Sequence, residues 1–382
     1  MSEKLKLKGN LKPLVPNCDL NGYFEITKKL DLPSVLFKNK VFFNDFDTST
    51  TTPDKTIFLQ KNKPLLAQGK NIYSIDNAFS YLNDGDIILI KEQTISVAYR
   101  KNANATFLLL TEQCDNFCIM CSQPPKAIND EYIVDQLMEL IPLLPKSLHE
   151  IGLTGGEPTI LGNKFIKILN LINAYLPNTS VHVLSNGKSF SDDFLKKISE
   201  RKHYDLMFGI PLYSHNYETH DYIVQSKNAF NETVEGIINL KRFQQKVEIR
   251  VVIQKNNYKD LPDLANFILR NLQFVDQVVF MGLEMTGFAR GNASDVWVEP
   301  SEYQSYLKEA ITTLSRAKVR CRIYNHQLCI LDRSLWEYNV SSISDWKNNF
   351  ISECENCLLR SSCGGFFATS DNRLPQKIKA FK

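Results

Sequence analysis

A chain of 382 residues, 43% of them apolar and 23% charged, has apolar content for a large core and length for roughly two or three structural units. Its formal net charge of +3 singles out no partner, and no basic run argues for nucleic acid. No apolar stretch is long enough to span a membrane, and the start Met1-Ser2-Glu3-Lys4-Leu5 lacks the apolar region of a secretion signal, so a cytoplasmic protein is expected. Nine cysteines in such a chain read as metal ligands in a reducing compartment rather than as a disulfide framework.

Residues 1–105 read as a small, mostly β domain. Short β-type runs at 34–37 and 87–90 are broken by turn signals, and 48–54 is a polar, Thr-rich loop. Asn83-Asp84-Gly85-Asp86 predicts a turn into the 87–90 strand, with 96–99 as its partner. Cys18 stands alone here and reads as structural.

From Thr106 onward, β-type runs alternate with helical periods. The strand candidates are 106–111, 149–153, 180–184, 205–210, 247–253 and 277–282. Helical periods between them include Phe165, Ile166, Ile168, Leu169 and Ile172, and Val234, Ile237, Ile238 and Leu240. Six strand–helix units with right-handed crossovers predict an α/β fold, a parallel sheet curled into a partial (β/α)6 barrel over 106–300. Such barrels bind ligands at the C-terminal ends of their strands.

The motifs fall at those ends. Cys114, Cys118 and Cys121 follow the run Phe107-Leu108-Leu109-Leu110 at C-x3-C-x2-C. Three thiolates so close in sequence can converge on one metal centre, and a fourth nearby would close a structural site. None follows nearby, so an iron–sulfur cluster held here keeps one iron open to a small ligand. A zinc knuckle is the alternative reading of the spacing. Thr154-Gly155-Gly156-Glu157-Pro158 ends the second strand, and its paired glycines let backbone approach a ligand closely. Ser185-Asn186-Gly187 ends the third, Pro211-Leu212-Tyr213-Ser214 the fourth, and Arg250 lies within the fifth. His220-Asp221 reads equally as a surface pair or an active-site pair.

Residues 301–382 form a cysteine-rich C-terminal region. A helical period covers 303–314 and a strand 319–324. Cys354, Cys357 and Cys363 follow, and Cys329 supplies a fourth ligand, with Cys321 as its rival. Four thiolates suit a second [4Fe–4S] cluster or zinc.

The cysteine loop, with Gly155-Gly156-Glu157 one strand–helix unit later, resembles the radical S-adenosylmethionine (SAM) superfamily. The resemblance implies that SAM binds the open iron through its amino and carboxylate groups and is reductively cleaved to a 5′-deoxyadenosyl radical, which abstracts hydrogen from substrate. It implies that Gly155, Gly156 and Glu157 hold the SAM amino group, that Ser185 and Asn186 lie near SAM, and that Arg250 binds the SAM carboxylate. Many relatives place a serine and an aspartate where Pro211 and Tyr213 stand, so Ser214 or Tyr213 is expected to take the serine's place. The stretch from Met281 to Gly287 is expected on the adenine or substrate side.

More narrowly, the stretches 118–125, 210–213, 281–284, 342–348 and 363–367 look like the radical SAM maturase of the His-Xaa-Ser peptide system, its C-type member. This implies a small precursor peptide, a companion radical SAM protein and an external reductant. The C-terminal cysteines resemble part of the auxiliary-cluster region of peptide-modifying radical SAM enzymes, which often continue with a cysteine where Phe367 stands. Many such enzymes carry a winged helix-turn-helix domain. Residues 1–105 do not resemble one, and are instead a candidate to offer a sheet edge to an extended peptide. The alternatives are a small-molecule substrate, activation of a partner protein, and a non-catalytic metal-bound scaffold. No catalytic acid, base or hydrogen donor is legible.

Overall fold

The computed structural model describes residues 6–29, 37–44, 53–62, 70–103, 106–200, 202–340, 349–367 and 373–382. Most of the 34–37 run, most of the 48–54 loop and the whole 342–348 stretch lie outside these. Two compact units account for the chain, Ser2–Thr106 and Phe107–Lys382.

Among the described residues the first unit is one sheet of eight strands: β1 (Lys8–Asn10), β2 (Lys12–Pro13), β3 (Gly22–Thr27), β4 (Lys40–Asn44), β5 (Thr56–Leu59), β6 (Ile72–Ile75), β7 (Ile87–Lys91) and β8 (Thr94–Tyr99). Their order is β1-β8-β7-β3-β4-β5-β6-β2. The two ends of that order are consecutive in sequence, separated by Leu11 alone, so the sheet closes on itself. Ile26, Phe43, Ile57, Phe79, Leu82, Ile88 and Ile95 fill the inside. Among the described residues the two ends of the strand order, β1 and β2, already pair with β8 and β6, which counts against the peptide-docking edge expected in this unit. The β7–β8 turn at Glu92 and Gln93 has φ of 48° and 63°, both positive, the hairpin geometry that matches strand twist. Neither residue is a usual turn former, so the sequence carried no signal for it.

The second unit is built on a parallel sheet whose order follows the chain: β9 (Thr106–Leu109), β10 (Glu150–Thr154), β11 (Ser180–Leu184), β12 (Asp205–Pro211), β13 (Lys246–Val252), β14 (Gln277–Met281), β15 (Cys321–Tyr324) and β16 (Asn339–Val340). Amphipathic helices make the crossovers. α2 (Asn163–Tyr175) buries Phe165, Ile168, Leu169 and Ile172 at the i, i+3, i+4, i+7 spacing of one helix face. Truncating one of these, such as Ile168→Ala, costs about 2–5 kcal/mol.

The six expected strands are present within a residue or two of their expected ends, and two more join them from beyond residue 300. α9 (Gln304–Arg316) acts as one further crossover, and β15 pairs parallel with β14 from Val278↔Cys321 to Met281↔Tyr324. Among the described residues no helix is long and apolar enough to cross a membrane.

Candidate functional site

A cavity of about 320 Å³ opens at the C-terminal ends of β10 to β15. Cys114, Cys118 and Cys121 line it, together with Thr154, Gly155, Gly156, Ser185, Asn186, Tyr213 and Arg250. Parallel strands bring residues more than 200 positions apart to one rim, as the barrel reading required.

The cysteine loop is strapped down on several sides. The amides of Phe117 and Ile119 donate to the carbonyls of Val224 and Ile223, at the end of α4 (Tyr217–Val224). Asn292 Nδ2 donates to the Ile119 carbonyl at 2.8 Å, and the Phe288 amide to the Cys121 carbonyl at 2.8 Å. On the β10 side, the amides of Gly156 and Glu157 donate to the carbonyls of Thr111 and Gln113, each at 2.8 Å. A Cβ on Gly156 would run into the Gln113 carbonyl, so this contact requires glycine. Burial pushes the Cys114 thiol up to about 11 and raises Cys118 and Cys121 as well. Protons must therefore leave when these thiols take a metal.

Glu157 does not reach the cavity. Its carboxylate is fully buried and already accepts from Thr159 N (3.0 Å), Thr159 Oγ1 (2.6 Å), Ser185 Oγ (2.8 Å) and Asn186 N (2.5 Å). Burial raises its pKa, and these donors oppose the rise. Glu157, expected on an ammonium group, here ties β10 to the turn after β11, and the backbone of Gly155 and Gly156 is what faces the cavity. Ser185 lines the cavity, but its hydroxyl serves Glu157 and accepts from Gly187 N at 3.1 Å. Asn186 also lines it, and its Nδ2 donates to Asp115 Oδ1 at 2.5 Å.

Ser214, expected beside SAM, is engaged within the chain. It is fully buried, is not part of the cavity lining, and its Oγ accepts from Asn216 N at 3.0 Å. The hydroxyl thus closes a short turn ahead of Asn216, whose own side chain caps α4 by accepting from Glu218 N and Thr219 N. Tyr213 lines the cavity in its place; its amide donates to His220 Nδ1 at 3.2 Å and the two rings stack 5.8 Å apart. His220-Asp221 is thus neither a surface pair nor an active-site pair. His220 is buried behind Tyr213, and Asp221 Oδ1 accepts from Phe230 N.

Arg250 reaches the cavity from β13, with Nη1 2.7 Å from Glu248 Oε1 and Nη2 donating to Met281 Sδ at 3.2 Å. Among the described residues the lining carries two charged side chains, Arg250 and Glu284. Asn116 went unnoticed in the sequence. It is buried, lines the cavity, and its Oδ1 has no protein partner. An unpaired buried acceptor calls for a partner outside the chain, a water or a ligand donor. An asparagine between two cysteines carries no spacing signal that would reveal this.

In the tail, Cys329, Cys354, Cys357 and Cys363 line one small cavity, along with Phe350, Arg360 and Phe381. The Leu328 amide lies 3.5 Å from Cys363 Sγ, and Gln327 Nε2 donates to the Gly365 carbonyl at 2.7 Å, closing the segment around the thiols. Cys321 lies apart on β15, buried, with its Sγ toward the Val319 carbonyl. Among the described residues no three His, Cys, Asp or Glu side chains stand in single-ion geometry, so the four thiols line a space rather than meet at a point. Cys18 packs against the core of the first unit.

Residues 108–268 match the family model of the radical SAM superfamily, which supports placing this segment there. The cysteine-type anaerobic sulfatase-maturating enzyme of Clostridium novyi (strain NT) is 27% identical over 132 residues, 32% of this chain and 34% of that protein. The chain thus spans about a third of the length of the curated relative it matches. Among solved structures, SuiB of Streptococcus suis is similar with a TM-score of 0.44 and 13% identity, covering 57% of this chain and 48% of SuiB. A structure of anSMEcpe with bound AdoMet and a peptide is similar with a TM-score of 0.45 and 16% identity, covering 56% and 62%. The superfamily uses a [4Fe–4S] cluster and SAM, and the donors present fit both: three thiols for the cluster, and a cavity carrying a guanidinium and exposed glycine backbone for the cofactor. The four tail thiols fit a second cluster.

Proposed function

We propose that the chain is a radical SAM enzyme that modifies a precursor peptide of the His-Xaa-Ser type. The observation that carries the radical SAM part of this reading is the convergence of Cys114, Cys118 and Cys121 with Arg250 and the Gly155–Gly156 backbone on one cavity at the strand ends, while the peptide rests on the resemblance of the sequence motifs. When bound, the cluster and SAM supply a 5′-deoxyadenosyl radical that takes hydrogen from substrate.

The chain's own residues bind, orient and shield. The three thiols hold the cluster, leaving one iron for SAM. The Arg250 guanidinium takes the SAM carboxylate, for which its fork is suited. Asn116 Oδ1 accepts from a ligand N–H or O–H. Buried Met120 and Tyr213 wall the cavity and exclude water. The peptide enters across the strand ends, between the cysteine loop and the tail thiols. A companion radical SAM protein and an external reductant complete the system.

A His-Xaa-Ser peptide deuterated at the His and Ser carbons tests this, with reconstituted protein, SAM, reductant and companion protein. Deuterium in 5′-deoxyadenosine and a peptide mass change are expected. Changing Cys114, Cys118 and Cys121 together to Ala abolishes SAM cleavage. SAM cleavage by the triple variant at the wild-type rate refutes the radical SAM reading. Cleavage without deuterium transfer or mass change removes the peptide and leaves a small-molecule substrate.

A further inference from the structure

Under the cavity floor lies a buried charged group that the site does not expose. Glu248 precedes Arg250 by two residues on β13, so the two side chains share one face of the strand. The Glu248 carboxylate is fully buried and does not line the cavity. Its Oε1 is 2.7 Å from Arg250 Nη1, and its Oε2 accepts from Gln277 Nε2 on β14. His182 Nε2, from β11, stands 3.5 Å from Oε1. On β12 between them, Gly209 leaves the space: a Cβ there would stand 2.9 Å from both Arg250 Cδ and His182 Nε2. Gln277 on β14 thus holds the carboxylate against the guanidinium and Gly209 on β12 leaves the room for it, while His182 on β11 stands close by without a hydrogen bond from Nε2.

A buried carboxylate is costly unless it is paired and hydrogen-bonded, and an apolar residue would fill this place more cheaply. Burial keeps His182 neutral, with its pKa lowered to about 4 although Glu248 pulls the other way, so Arg250 is the cation in contact with Glu248. A guanidinium has five N–H donors, and Glu248 and Met281 engage only some of them.

We propose that Glu248 is a positioning residue, which fixes the Arg250 guanidinium so that its remaining N–H groups present a preformed seat for the carboxylate of an amino-acid ligand. This rests on the radical SAM reading, in which that ligand is SAM. An arginine left unfixed would have to be ordered each time the ligand binds, which weakens binding. The effect is confined to the carboxylate end of the ligand.

The test compares SAM with 5′-methylthioadenosine, which keeps the nucleoside and lacks the amino-acid part. Dissociation constants are measured on cluster-reconstituted wild type, Glu248→Gln, Glu248→Ala, Arg250→Ala and the Glu248→Ala/Arg250→Ala double variant, with iron per chain as the loading control. Glu248→Ala is expected to weaken SAM about 10-fold and to leave 5′-methylthioadenosine within about twofold. The double variant binds SAM no more weakly than Arg250→Ala alone, because Glu248 acts only through Arg250. Glu248→Gln keeps the shape, shows an intermediate loss, and serves if the alanine variant fails to fold. Equal loss of both ligands, an additive double variant, or unchanged SAM binding by Glu248→Gln and Glu248→Ala overturns the positioning role alone. Wild type that carries its cluster and binds no SAM overturns the radical SAM reading, and this assignment with it.

Discussion

Lys188 Nζ lies 2.9 Å from Asp115 Oδ2, joining the residue after the first loop cysteine to the turn that leaves β11. Asn186 Nδ2 holds the other oxygen of the same carboxylate. Glu157, through the Asn186 amide, ties that turn to β10. The cysteine loop is therefore seated by polar contacts of its own, apart from any metal ligation.

Breaking that seat has a calculable cost. The Lys188 side chain is 8% exposed, whereas that of Asp115 is 43% exposed, so water screens part of the pair. Lys188→Met should cost about 1 kcal/mol, below the several expected of a fully buried pair. Denaturant unfolding of the metal-free protein measures the loss. Iron retained per chain after reconstitution should fall as well, because a looser loop must be ordered by the cluster itself. Unchanged stability and unchanged iron would show that the Asp115–Lys188 contact is incidental.

The tail thiols should hold a second cluster that persists when Cys114, Cys118 and Cys121 are all alanine. Iron and sulfide analysis of that triple variant decides the matter. Ligands this far apart in sequence couple metal binding to folding, so Cys357→Ser should also loosen residues 349–367 and 373–382 toward proteolysis. Zinc in place of iron, or no metal, rejects the auxiliary cluster without touching the first site.

Acid should destabilise the fold through its buried histidines. Burial lowers His182, His220 and His326 to about 4 from an ordinary value of 6.5. Below about 6.5 the unfolded chain takes up protons that the fold refuses, so stability falls as pH drops through that window and levels off near 4. His326 is the clearest case. Its ring is satisfied while neutral, with Nδ1 donating to the Tyr324 carbonyl at 2.9 Å and Nε2 accepting from Tyr303 Oη at 2.8 Å. Between pH 7 and 5.5, His326→Gln should lose about 1 kcal/mol less stability than wild type. Parallel pH profiles for the two proteins would contradict this.

Much of the site was legible because its signals are local. The spacing of Cys114, Cys118 and Cys121, the paired glycines Gly155 and Gly156, and the alternation of strand and helix periods each lie within a few turns of chain. Strand polarity then places those motifs at one rim, as it does in the structure. What could not be read were partners distant in sequence. Glu157 follows β10 while Ser185 and Asn186 share the turn after β11, and only the packing of the two strand ends brings these two donors to the carboxylate beside the local Thr159. Ser214 is taken by Asn216, although the sequence alone left it as available as Tyr213.

Face alternation along β13 puts Glu248 and Arg250 on the same side whatever surrounds them, so their pairing was implicit in the sequence. That His182, Gln277 and Gly209 converge on the pair depends on the register of β11, β12 and β14. Likewise, sequence spacing left Cys329 and Cys321 as rivals, and the fold separates them, because β15 pairs with β14 and carries Cys321 into the sheet. Local pattern determined which residues carry the chemistry and which end of the sheet they occupy. Tertiary packing decided which of them meet a cavity and which meet each other, because a buried polar group must be satisfied by whatever neighbour the register supplies.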